Sequence, residues 1–385
     1  MIPYGRQEIL DADIEAVVAV LRSDFLTQGP AVPRFEAALA TYCGAGQAVV
    51  VNSATAALHI ACAALGLGPG DLLWTSPITF VASANCGLYC GADVDFVDIN
   101  AETANLCPRA LETKLRAARA AGRLPKIVIP VHLTGEPCDM EAIWALSEEY
   151  GFAVVEDASH AIGAWRAGAP VGRGRSAAVV FSFHPVKIVT TGEGGAVVTD
   201  DAELARRMHL LRSHGITRDP AFMTHDPDGA WYYQQVDLGF NYRITDLQAA
   251  LGASQMTRLD AYVERRQALA RRYDALLADL PVRPLRRDPA NRSALHLYVV
   301  RVGGGGKGPD RSVVFDRLRA RGIGVNVHYI PVPSQPYYRA RGFDPAHYPN
   351  AQAYYAEAIS LPLFPTLTEA QQDTVVSALR EALSV

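Results

Sequence analysis

The chain has 385 residues, 49% of them hydrophobic and 20% charged. That length suggests about two domains, and that composition supplies a packed interior, which excludes a disordered or low-complexity protein. The 36 basic and 40 acidic side chains leave a formal charge of −4, with no basic block long enough to follow a phosphate backbone, so nucleic acid is not an expected partner.

The amino terminus, Met1-Ile2-Pro3-Tyr4-Gly5-Arg6-Gln7-Glu8, lacks the pattern of a secretory signal. No apolar run approaches the ~20 residues a membrane helix needs, which points to a cytoplasmic protein without a membrane partner. From residue 48 onward, short β-branched runs alternate with segments of helical period, the pattern of βαβ units and a mainly parallel sheet covered on both faces. Strands are expected over 48–52, 72–76, 94–99, 126–131 and 153–156, with helices over 54–65, 80–90 and 139–150. Strands over 177–184 and 195–200 are joined by a loop too short for a crossover helix, so the sheet is mixed. Residues 244–278 read as one long helical stretch, with Leu247, Leu251, Leu259 and Val263 on helical spacing. It links a large domain, 1–250, to a smaller α+β domain, 251–385, which holds a strand over 295–302, a glycine-rich surface connection at 303–306 and helices over 311–321 and 369–383.

Six cysteines (Cys43, Cys62, Cys86, Cys90, Cys107, Cys138) match no zinc or redox spacing and read as buried thiols, so no metal is expected. Lysine is scarcer, with only Lys114, Lys126, Lys187 and Lys307. Lys187 follows the apolar run Val179-Val180-Phe181-Ser182-Phe183-His184-Pro185-Val186 and precedes Thr190-Thr191-Gly192-Glu193-Gly194-Gly195. Low-dielectric walls disfavour its charged form, and a neutral amine condenses with an aldehyde; a lysine capping a strand end at the surface is the plainer reading of that position alone. Two other segments shift the balance. Strand 153–156 ends in Asp157-Ala158-Ser159-His160, an acid placed to pair with a protonated pyridine nitrogen, and strand 48–52 opens a helix through Asn52-Ser53-Ala54-Thr55-Ala56, whose amides and hydroxyls suit a phosphate. Singly, Asp157 and Thr55 are also ordinary helix-start residues. Jointly, acid, phosphate cradle and lysine describe a pyridoxal 5′-phosphate (PLP) site.

At this point the chain resembles the DegT/StrS family of nucleotide-sugar aminotransferases. The resemblance is carried by Asn52-Ser53-Ala54-Thr55-Ala56-Ala57-Leu58, Glu156-Asp157-Ala158, Phe181-Ser182-Phe183 with Lys187, Gly192-Glu193-Gly194-Gly195 and Asn241-Tyr242-Arg243-Ile244-Thr245-Asp246-Leu247-Gln248. It extends to Ile2-Pro3-Tyr4-Gly5, Leu26-Thr27-Gln28-Gly29-Pro30 and Leu361-Pro362-Leu363-Phe364-Pro365. It implies a fold type I, aspartate aminotransferase-like α/β architecture and PLP as cofactor. It also implies that Lys187 is the catalytic Schiff-base lysine, Asp157 faces the pyridine nitrogen, Ala54, Thr55 and Ser182 hold the phosphate, and Phe80 stacks on the ring. Asn241 would reach the same phosphate from the neighbouring subunit of a homodimer with shared active sites. Where much of the family has glutamine, this chain has His160, which can donate to the phenolic oxygen but brings a titratable ring. Arg243 is a candidate for a substrate phosphate or carboxylate.

Dehydratase relatives replace the lysine by histidine, so Lys187 favours transamination. His184-Pro185-Val186-Lys187 and Val327-His328-Tyr329-Ile330-Pro331-Val332 look most like the branch that makes the UDP-linked amino-sugar precursor of pseudaminic acid. That likeness implies amination of C4 of a UDP-linked 4-keto-6-deoxy-N-acetylhexosamine by glutamate, with His328 and Tyr329 as substrate contacts. The family often continues the second motif with histidine, whereas Pro333-Ser334-Gln335-Pro336 follows here. The alternatives are another nucleotide-linked 3- or 4-keto-sugar, or a non-catalytic regulator on the same fold. A nicotinamide oxidoreductase is disfavoured because Asn52 to Ala56 stand where its glycine-rich turn belongs.

Overall fold

The computed structural model describes residues 1–303 and 309–384; residues 304–306 of the expected glycine-rich connection, and Lys307, lie outside the described residues. Seven strands form the central sheet: β1 (Gln47–Val51), β2 (Leu72–Thr75), β3 (Asp93–Phe96), β4 (Ile127–Ile129), β5 (Ala153–Asp157), β6 (Ala178–Ser182) and β7 (Gly195–Thr199). Their order is β1-β7-β6-β5-β4-β2-β3, with β7 alone running against the rest, so the sheet is mixed as expected. Two-residue periodicity sends alternate side chains to opposite faces. Val49, Val51, Val155, Val180 and Val197 enter one core cluster with α3 (Ala54–Ala64) and α4 (Ala82–Tyr89). Ala48, Val50, Val179, Phe181, Ala196 and Val198 enter another with α2 (Ala31–Cys43). Val128 and Val154 pack with α5 (Pro108–Ala120) and α6 (Met140–Tyr150) on that second side.

Several helices fall outside the sequence reading, including Pro336–Ala340 and Pro349–Glu357 near the carboxyl terminus. α1 (Asp11–Leu21) and α2 precede the alternating region, and α7 (Ala202–Arg212) is largely polar. The long helix expected over 244–278 is two helices, α8 (Asp246–Met256) and α9 (Leu259–Leu276). Thr257 Oγ1 donates back to the Ser254 carbonyl at 2.7 Å, and Arg258 swings out to Asp13 at 2.6 Å. Apolar spacing continues through the break, which is why the period alone does not reveal it. A third cluster gathers residues of α9 with β9 (Tyr298–Arg301), which lies between β8 (Arg283–Pro284) and β10 (Ala358–Leu361), and with α10 (Arg311–Ala320) and the closing helix Glu369–Leu383. Cys43, Cys62, Cys86 and Cys138 are buried as expected, but Cys90 and Cys107 are only half-buried. Among the described residues, no helix is long and apolar enough to cross a membrane.

Asp13 is fully buried and also accepts from Leu10 N, Ser254 Oγ and Gln255 Nε2. Burial alone raises its carboxyl, but Arg258 and these donors outweigh that and hold it below its ordinary 3.8. Asp13→Asn should therefore cost about 3 kcal/mol at pH 7, the order expected for breaking a buried ion pair. Because the folded pKa is depressed, this stabilisation is present at neutral pH and is lost as pH falls through the folded value. Urea unfolding at pH 7 and pH 3 checks this: the gap between wild type and variant should narrow at the lower pH.

Candidate active site

Because β1, β5 and β6 are parallel and β7 runs back between β1 and β6, three carboxyl ends and one amino end share one sheet edge. An open α/β sheet leaves its ligand crevice there, and a cavity of about 710 Å³ opens at this edge. Gly195 is in register with both Val51 and Ser182. A Cβ on Gly195 would lie 2.5 Å from Ser53 C and Ala54 N, so β7 begins flush against the start of α3. Ser53 caps that helix by accepting from Ala56 N at 3.1 Å. Helix geometry leaves the Ala54 and Thr55 amides without intrahelical acceptors, at the positive end of the helix dipole.

Asp157 ends β5 and is 4% exposed. Its Oδ2 accepts from Ser83 Oγ at 2.6 Å and its Oδ1 from the Ser159 amide at 3.1 Å. Ser83 Oγ lies 2.7 Å from Thr79 Oγ1. Lys187 sits in the turn beyond β6 and lines the same cavity. Burial lowers its amine to about 8, with the Asp157 charge acting in the opposite direction. Lys114 and Lys126 are instead tied to Asp95 at 2.7 Å and Asp71 at 2.8 Å.

His160 receives the Thr134 amide on Nδ1 at 3.2 Å, which leaves the proton of the neutral ring on Nε2, 3.1 Å from Tyr329 Oη. Burial first, then the positive charge of Lys187, holds the ring well below the ordinary imidazole value. The expected titratable ring is therefore a neutral donor at working pH. His328 behaves alike: burial and Lys187 push it down to about 3, and its Nδ1 lies 2.7 Å from Ser360 Oγ.

Ala54, Thr55, Phe80, Asp157, His160, Ser182, Lys187, His328 and Tyr329 all line this one cavity. Phe80 stands at its rim, 59% exposed, with its ring centroid 6.3 Å from that of Tyr329. Asn241 and Arg243 do not line the cavity of their own chain. Asn241 is exposed and bridges Ser213, and the next carbonyl, of Tyr242, accepts from Asn52 N at 2.9 Å.

Sequence reading misses Thr79, Ser83, Tyr4 and His296. The first two have a signal, small hydroxyls four residues apart beside Phe80. His296 is carried by a backbone that Arg266 clamps, donating to the carbonyls of Leu295, His296 and Leu363 at 3.0–3.2 Å. The signal there is an arginine on the apolar stripe of α9, seven residues after Leu259.

The model of the DegT/DnrJ/EryC1/StrS aminotransferase family matches residues 7–380. The chain belongs to this family. It is 39% identical over 384 residues to the spore coat polysaccharide biosynthesis protein SpsC of Bacillus subtilis, covering 99% of this chain and 96% of that one. Among solved structures it resembles the putative sugar aminotransferase Spr1654 of Streptococcus pneumoniae in its PMP-form, with 31% identity, a TM-score of 0.90 and 99% of each chain covered. It also resembles Helicobacter pylori PseC, an aminotransferase involved in the biosynthesis of pseudoaminic acid, with 30% identity, a TM-score of 0.91 and 99% of each chain covered. As a DegT/DnrJ/EryC1/StrS member the protein is a PLP-dependent sugar aminotransferase of fold type I, acting on a keto-sugar with an amino donor.

The cavity fits that cofactor: a buried lysine with a lowered pKa, a buried carboxylate held by two donors, and a helix start that Gly195 permits β7 to meet. In cofactor-stripped protein, the rate of PLP capture should rise with pH around a midpoint of about 8, because only the neutral amine is nucleophilic. Asp157→Asn removes the charge that favours the ammonium, so the midpoint should fall. Near-visible absorbance after mixing measures both, and an upward shift would contradict this coupling.

Proposed function

We propose that this aminotransferase moves the amino group of glutamate to C4 of a UDP-linked 4-keto-6-deoxy-N-acetylhexosamine, in pseudaminic acid-type sugar biosynthesis. The observation that carries the reading is Lys187 facing the Asp157 carboxylate in one cavity with His328 and Tyr329, in a chain similar to PseC along its length. Bound PLP supplies an aldehyde carbon that accepts amines and a pyridine ring that withdraws electrons. Lys187 is the catalytic residue: its amine, with a pKa near working pH, takes and returns a proton at the substrate carbon. Asp157 keeps a proton on the pyridine nitrogen, and Ser83 and the Ser159 amide hold the carboxylate in place. Ala54, Thr55 and Ser182 bind the phosphate, Phe80 covers the ring, and His160 offers its Nε2 proton to the phenolic oxygen. His328 and Tyr329 contact the sugar. Amination of a different nucleotide-linked 3- or 4-keto-sugar is the second reading, favoured by the 39% identity to a protein named for spore coat polysaccharide biosynthesis. Incubating the enzyme with glutamate and a panel of nucleotide-linked keto-sugars, followed by mass and NMR analysis, tests it. The expected product is the 4-amino UDP-sugar, and a 3-amino product would replace this reading by the second.

Asn241 and Arg243 stand outside the cavity of their own chain, which supports a homodimer in which they serve the partner's site, Asn241 at the phosphate and Arg243 at a substrate anion. Mixing inactive Lys187→Ala subunits with inactive Asn241→Ala/Arg243→Ala subunits checks this. If the segment acts in trans, each exchanged dimer has one intact site and regains about half of wild-type activity; if it acts in cis, nothing returns.

A further inference from the structure

Helix α3 faces two ways. Ala54 and Thr55 at its start line the cofactor cavity of their own chain, and four residues after Thr55 it carries the buried His59, whose Nδ1 lies 3.1 Å from Tyr242 Oη. We propose that His59 is a positioning residue for the partner's site: it holds Tyr242, and so aims Asn241 and Arg243, on either side of Tyr242, across the dimer. The proposal rests on the reading above in which that segment acts in trans. The backbone of the segment is tied at three points. Phe240 N donates to the Leu211 carbonyl at 2.6 Å, Tyr242 N donates to that of Arg212 at 3.0 Å, and the Tyr242 carbonyl accepts from Asn52 N at 2.9 Å. Asn241 forms an antiparallel bridge with Ser213, and an extended chain sends neighbouring side chains to opposite sides. Phe240 and Tyr242 accordingly pack inward together, their rings stacked 4.9 Å apart, with the His59 ring 4.6 Å from that of Phe240, while Asn241 is exposed. Backbone bonds hold such a segment to its neighbours but leave it able to roll about its own axis, and a side-chain bond to a buried helix residue resists that roll. Burial holds the His59 imidazole below its ordinary value, so at pH 7 the bond joins two neutral groups. The phosphate cradle of one site and the aim of the segment serving the other thus share one helix.

The test mixes PLP-loaded subunits and isolates heterodimers through two affinity tags. Activity is read as the single-turnover loss of near-visible absorbance with glutamate, which needs no sugar. Alone, His59→Leu should slow this reaction about 10-fold, the order expected when a buried hydrogen bond loses one partner. His59→Asn, whose amide can still meet the Tyr242 hydroxyl, should stay within about threefold of wild type. Paired with Lys187→Ala, His59→Leu should regain about half of the wild-type amplitude at the wild-type rate, because the intact lysine is then served by an intact segment from the other subunit. Paired with Asn241→Ala/Arg243→Ala it should regain nothing, because both subunits carry the same kind of defect. A general weakening of α3 would give the reverse pattern, with rescue by Asn241→Ala/Arg243→Ala and none by Lys187→Ala, and that result overturns the proposal. Wild-type activity in His59→Leu overturns it as well. Should His59→Leu fail to form dimers, Tyr242→Phe removes the same bond from its other end and must show the same pattern of rescue. The control pair, Lys187→Ala with Asn241→Ala/Arg243→Ala, separates the two readings: if it regains activity while His59→Leu follows the reverse pattern, only the role of His59 falls, and if it regains none, the trans reading and this proposal fall together.

Discussion

Gly195 has room for a hydrogen and nothing larger. Its Cα lies level with Val51 on one side and Ser182 on the other, and a Cβ would meet the backbone of Ser53 and Ala54 at 2.5 Å. Through that contact the reversed strand β7 brings the start of α3 against the ends of β6 and β5. The helix amides, Ser182, Lys187 and Asp157 then face one space. A side chain at this position would push the start of α3 away from the lysine and the acid.

Within that space, burial sets the charges. His160 and His328 are desolvated and lie within the field of Lys187, so both stay neutral, and His296, packed 4.5 Å from His160, follows the same rule. The Lys187 amine, lowered by burial to about 8, keeps a charge that can titrate near neutral pH. The Thr134 amide decides which nitrogen of His160 carries the proton, and Ser83 decides how Asp157 is turned. These are hydrogen bonds from backbone and small side chains, which lose little conformational freedom in holding their partners.

The two ends of the chain close over the same edge. Tyr4 accepts from Leu363 N at 3.0 Å, and its ring lies 5.4 Å from that of His328. Arg266 clamps Leu295, His296 and Leu363 together without a carboxylate among those contacts, its guanidinium lowered to about 10 by burial. Segments 2–5, 295–296, 328–329 and 361–365, far apart in the chain, are thereby joined around the cavity.

Much of this was legible beforehand. Alternation of β-branched and helical runs located the seven strands of the central sheet, the short loop after β6 revealed that the sheet is mixed, and the scarcity of lysine singled out Lys187. Asp157 and the Asn52 to Ala56 turn followed from what strand ends and helix starts offer to a charged ligand. The break between α8 and α9, the neutral state and tautomer of His160, and the roles of Ser83 and Arg266 were not legible. They depend on Asp13 meeting Arg258 across 245 residues, on Tyr329 meeting His160 across 169 and on Ser83 meeting Asp157 across 74. Periodicity and propensity are local quantities and determine which segments become strands and helices. Desolvation and hydrogen-bond direction depend on what the folded chain places within a few ångströms, and only the tertiary structure decides that.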